Sequence, residues 1–146
     1  MNTILAIINS LILDLTYTTD QLKRFISIAS VMVQRDVDFI DKYTIDILNN
    51  TLTPDPTDNN FCLFVATQAS ILIVKAELKT SATNSLKVTD GPSTIDLSSQ
   101  QKSLSEYLKN LQDDYEKAKL EYLLSGDTTY GGYAVLTPTT WVQNGN

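Results

Sequence analysis

Between Asp58 and Lys75 the chain carries no charged side chain, and this stretch holds Phe61, Phe64, Val65, Gln68, Ile71 and Leu72. These residues recur at helical spacing on a face too broad for a helix with one side in water. Such a helix has to be covered by other elements. The pattern reads as a helix over about 60–81 at the centre of a bundle. Ser81-Ala82-Thr83-Asn84-Ser85 behind it has loop composition.

The flanking segments supply the cover. Ile4, Leu5, Ile8, Leu11, Ile12 and Leu15 fall at helical spacing, with a turn at Thr16-Tyr17. The apolar run from Thr3 to Leu15 is interrupted by Asn9, Ser10 and Asp14 and has no basic leader. It is also far shorter than the roughly 20 residues of a membrane span. It is expected as a buried amphipathic helix, in a protein made and kept in the cytosol or in an assembly built there. Thr18-Thr19-Asp20-Gln21 is a capping box. The helix it opens runs to about Asp36 or Val37. Leu22, Phe25, Ile26, Ala29 and Val33 form its apolar stripe, with Lys23, Arg24, Ser27, Ser30 and Gln34 mainly elsewhere.

From Tyr43 the period changes to two. Tyr43, Ile45 and Ile47 alternate with Thr44, Asp46 and Leu48, Asn49-Asn50 turns, and Thr51-Leu52-Thr53 returns. Pro54-Asp55-Pro56 ends the hairpin, because proline cannot extend a paired strand. A last helix is expected from Ser98 or Ser99 to a C-cap at Gly126, about 27 residues and some 40 Å long. Leu104, Leu108, Leu111, Tyr115, Ala118 and Tyr122 keep a heptad seam along it. The seam reads first as a core face. On so long a helix part is expected to project, offering Tyr107, Tyr115 and Tyr122 to a neighbouring subunit as aromatic anchors.

Residues 126–146 differ from all this. They hold four of the five glycines and one charge, Asp127, yet carry Tyr130, Tyr133, Val135, Leu136, Trp141 and Val142. A free tail is usually charged and poor in aromatics. Two readings remain: a segment that orders on a partner, as edge-adding strands do, and a tail folded back on its own core. The expected fold is therefore mainly α: a small helical bundle over 1–125 with a short β-hairpin at about 43–53, a long C-terminal helix, and an extended C-terminal tail over 126–146.

Composition limits the chemistry. Hydrophobic residues make up 42% of the 146, enough for a packed core. The net charge of −6 opposes both phosphate-driven nucleic-acid binding and docking on an anionic membrane. There is no histidine, hence no imidazole base, ligand or pH switch. The single Cys62, among Phe61, Leu63 and Phe64, reads as a small buried hydrophobe. The aspartates at 36, 38 and 41, or at 55 and 58, lack the glycine and distal glutamate of a calcium loop. Asp90-Gly91-Pro92 lacks the lysine and glycines of a phosphate loop. No enzyme activity, metal or cofactor is expected.

Three passages together resemble the head-to-tail connector, or adaptor, proteins of tailed bacteriophages. They are the helix from Tyr17-Thr18-Thr19-Asp20-Gln21-Leu22 to Arg35-Asp36, the hairpin exit Thr51-Leu52-Thr53-Pro54-Asp55-Pro56-Thr57, and Leu86-Lys87-Val88-Thr89-Asp90-Gly91-Pro92-Ser93-Thr94-Ile95-Asp96 before the last helix. Adaptors of this type often read lysine, aliphatic, any residue, then Asp-Gly-Pro-Ser-x-Ile-Asp in that last place. The resemblance covers about residues 17–125. It implies a mostly helical subunit of a ring, commonly of twelve copies, below the portal protein in the virion neck. The ring would extend the DNA channel and seat the next neck or tail protein, with the C-terminal segment reaching toward the portal. DNA would pass through without specific binding, which favours an acidic lumen, with Asp90 and Asp96 as candidate lining residues. The alternative is a non-viral helical interaction module that binds a partner through its tail.

Overall fold

In the computed structural model, which describes residues 1–12, 17–85 and 97–125, the charge-free stretch lies within a 27-residue helix, α3 (Asn59–Ser85). Helices α1 (Asn2–Leu11), α2 (Thr19–Asp36) and α4 (Leu97–Ser125) all pack on it. A two-stranded hairpin, β1 (Thr44–Asp46) and β2 (Thr51–Thr53), closes one end against α2. The protein is thus mainly helical, with one short antiparallel hairpin.

The side chains of α3 explain its central position. Phe61, Cys62, Phe64, Val65, Ala66, Ala69, Ser70, Ile71, Ile73 and Val74 are buried, which takes in nearly every side of the helix. By length and hydropathy α3 passes for a membrane-crossing helix, but most of its apolar surface is covered by the rest of the fold. Beyond Lys75 the helix continues through Ser81–Ser85, which the composition assigned to a loop. The Thr80 and Thr83 hydroxyls donate to the carbonyls of Ala76 and Lys79 at 3.0 and 2.9 Å. Their polar groups are thereby satisfied inside the helix instead of breaking it.

Helix α2 begins as its capping box requires. The Gln21 amide donates to Thr18 Oγ1, and the Thr18 amide donates to Gln21 Oε1 at 2.8 Å. Leu22, Ile26, Ala29 and Val33 are buried as the stripe demands, but so are Ser27 and Ser30, which the pattern put mainly elsewhere. Both are small, as are the buried Ala66, Ala69 and Ser70 of α3, the helix on which α2 packs. The Ser30 hydroxyl donates back to Ile26 O at 2.8 Å. Helix α1 buries Ile4 and Ile8 and ends at Leu11, with Ile12 already extended. Leu15, counted in the apolar pattern, lies outside the described residues.

The hairpin pairs Thr44 with Thr53, Ile45 with Leu52 and Asp46 with Thr51. Its loop takes four residues, 47–50, so Ile47 leaves the strand that alternation suggested. The cause is the Asp46 carboxylate, which accepts from the Leu48 and Asn49 amides at 2.9 and 3.0 Å. Asn50 then takes the left-handed conformation, φ 53°, that asparagine tolerates.

Candidate interaction surfaces

Six aromatic rings join the hairpin end of the bundle to α4. Tyr43 stacks on Phe61 with centroids 4.1 Å apart, and Phe39 meets Phe61 edge-on at 5.3 Å. Phe39 also touches Phe64 and Tyr122. Phe64 in turn meets Tyr115 and Tyr122 edge-on at 5.6 and 5.7 Å. The start of α3 therefore lies against the second half of α4. Gln34 Nε2 donates to Tyr43 O at 3.0 Å and ties α2 to the same end.

This cluster places the three tyrosines of α4, read from the sequence as anchors for a neighbouring subunit, against the subunit's own core to different degrees. Tyr115 is 4% exposed, and Tyr107 and Tyr122 are partly buried against the core. The Tyr107 hydroxyl donates to Leu11 O, holding α4 to the end of α1. Burial, then the negative charges of Asp36 and Glu116, push the Tyr115 phenol up to about 12. Its hydroxyl has no hydrogen-bond partner among the described residues. The heptad seam is thus filled within the subunit: Leu111 is buried, while Leu104, Leu108 and Ala118 pack against the core. The expected portal- or neighbour-binding residues Tyr130, Tyr133, Val135, Leu136, Trp141 and Val142 lie outside the described residues, as do Asp90 and Asp96.

Apolar surface remains elsewhere. On α2, Ile28 and Val31 are 43% and 42% exposed, and Arg24 and Arg35 are exposed on the same outer face. The spacing of these four residues confines them to an arc of about 60° at 100° per residue. On α4, Leu120, Leu123 and Leu124 are exposed beside Glu116 and Glu121. Around the hairpin, Ile40 and Leu48 stand almost fully in solvent and Ile47 about half. Sequence reasoning missed these residues because it followed the stripes that had to face inward. The signal was available in the second apolar row that each helix carries outside its main stripe.

An open groove of about 240 Å³ runs between α3 and α4 at the end of α1, walled by Leu11, Leu63, Phe64, Leu111 and Ala118, with Asp114 on its lining. Leu63, which reaches it from α3, is 49% exposed. The Thr67 hydroxyl beside it is engaged with Leu63 O at 3.0 Å. Cys62 is buried, 1% exposed, with its thiol pushed up by burial and directed at Pro56 O. Among the described residues no set of three or more acidic or sulfur side chains is gathered where it could hold a metal ion. These surfaces offer contact area. Neither a family model, nor a curated protein, nor a solved structure matches the chain.

Proposed function

We propose that the chain is a structural adaptor of a tailed-bacteriophage neck, a non-enzymatic subunit made in the host cytoplasm and carried in the virion. Copies would close into a ring that joins the portal to the next neck or tail protein and extends the DNA channel, lined in part by Asp90 and Asp96. The sequence resemblance suggests this reading. The observation that supports it is the pair of apolar patches left on the outer faces of α2 and α4.

These helices both lean on α3 and do not pack on each other. A head-to-tail ring needs two different faces on each subunit, one to give and one to receive. One face carries Arg24 and Arg35 around Ile28 and Val31. The other carries Leu120, Leu123 and Leu124 with Glu116, Lys117 and Glu121 around them, Glu116 facing Lys119 at 3.8 Å. Apolar centres with polar surroundings suit contact between copies. The tail over 126–146, with its six apolar anchors, then docks on the portal.

Electron microscopy of the protein mixed with portal protein tests the reading. Rings stacked on the portal are expected. A protein that stays monomeric and unbound beside the portal refutes it. Truncation after Ser125 is expected to leave the helical domain folded and to abolish portal docking, and normal docking by the truncated chain would remove the tail's role.

A further inference from the structure

The groove between α1, α3 and α4 is apolar, open, and lined by one carboxylate, and the chain itself carries a segment suited to it. We propose that the groove seats this chain's own C-terminal segment, with Trp141 as the anchor, before any docking takes place. The inference goes beyond the neck reading and does not depend on it.

Reach comes first. The α4 residues of the groove, Leu111, Asp114, Tyr115 and Ala118, lie between about 10 and 21 Å back along the helix from Ser125, at 1.5 Å per residue. The chain from Ser125 to Trp141 can span up to about 50 Å when extended. It can therefore turn back and reach the groove with slack to spare. Tethering also holds the segment at an effective concentration of about millimolar, which favours this groove over that of a second copy in dilute solution.

Chemistry comes next. Leu11, Leu63, Phe64, Leu111 and Ala118 offer apolar walls, and the Asp114 carboxylate offers an acceptor with no ion-pair partner among the described residues. An indole has a large apolar body and a single N–H donor, so it covers the walls and satisfies the acceptor at once. No charged side chain lies between Asp127 and Trp141, so seating this stretch brings no charged side chain onto the walls. Leu63, half in water in the described structure, gains cover. If the protein also serves in a neck, docking on the portal must first draw Trp141 out of its seat, and the same anchor serves both states in turn.

Trp141 is the only tryptophan, so the full-length chain reports on itself. Its fluorescence is expected to be blue-shifted, with acrylamide quenching several-fold weaker than in urea. Leu63→Arg, at a half-exposed site, is expected to shift the emission to the red and restore quenching with helix content and melting retained, and Ala118→Arg to do the same with a lowered melting temperature, because Ala118 packs on the core. Asp114→Asn is expected to give a smaller shift in the same direction. All of these signals are expected to be independent of protein concentration. Solvent-exposed emission in the parent chain overturns the proposal, as does emission indifferent to both arginine variants. A blue shift that disappears on dilution also overturns it, by assigning the seat to a second copy. No portal enters the measurement, so the neck reading stands or falls separately.

Discussion

Tyr115 shows how a single hydroxyl sets a pH limit on this fold. Its ring is needed against Phe64, but its oxygen is buried without a partner among the described residues. Ionising the phenol there would place a charge in an apolar site, near Asp36 and Glu116, so the folded protein holds the proton more tightly than the unfolded chain. Tyr17 behaves alike: burial, and donation of its proton to the Glu77 carboxylate, push it up to about 12. The stability linked to both groups is complete below the unfolded value near 10 and is lost as pH rises through about 12. Urea unfolding followed across that window is expected to show the decline, and Tyr115→Phe to lessen it. At neutral pH Tyr115→Phe is expected to be neutral or up to about 2 kcal/mol stabilising, because it removes an unsatisfied polar atom. Cys62 gives a second reading at the same level. A thiol 1% exposed, and pushed up by burial, is expected to react with a thiol reagent only as fast as the protein opens. Reaction at the rate of a free thiol would contradict the placement.

Among the elements, α2 shows what a local signal can specify and what it cannot. The Thr18–Gln21 box is a matter of residues three apart, and it forms as the sequence indicates. Thr18→Ala is expected to cost about 1 kcal/mol in chemical denaturation. The buried position of Ser27 and Ser30 was not evident from the same residues. Polarity argued for the surface, whereas both are fully buried, with the Ser30 hydroxyl donating to Ile26 O inside its own helix. The complementary expectation concerns Ser70 on α3, also fully buried. Ser70→Leu is expected to cost about 1–3 kcal/mol by overpacking, although it replaces a polar residue with an apolar one. A stabilised variant would show that the two helices are not closely apposed there. The end of α3 carries the same lesson: loop-like composition at Ser81–Ser85 yields to helix once threonine hydroxyls find carbonyls one turn back.

Seen whole, the molecule is one covered helix, α3, with adhesive surface left on the helices that cover it. Leu120 and Leu124 are 58% and 72% exposed, and Ile28 and Val31 keep 43% and 42% of their surface in solvent. The double variant Ile28→Glu with Leu120→Glu is therefore expected to keep its melting temperature within a few degrees, since both sites are exposed. Under the ring reading it loses lateral assembly, which analytical ultracentrifugation with portal present would detect. Assembly undiminished by two new charges would move the contact elsewhere.

Helix positions, the capping box and the existence of the hairpin followed from the order of residues, because each rests on hydrogen bonds and periodicities within a few positions of the chain. The central place of α3 followed too, since a helix with no charge from Asn59 to Val74 has no stable face toward water along that length. The seam of α4 was legible as a core face, but which aromatic rings it would meet there was not. Tyr115 and Tyr122 fit between Phe39 and Phe64, while Leu120 and Leu124 stayed outside. Side chains from distant parts of the chain made that choice, because the space they leave is filled by shape and volume that no spacing rule encodes.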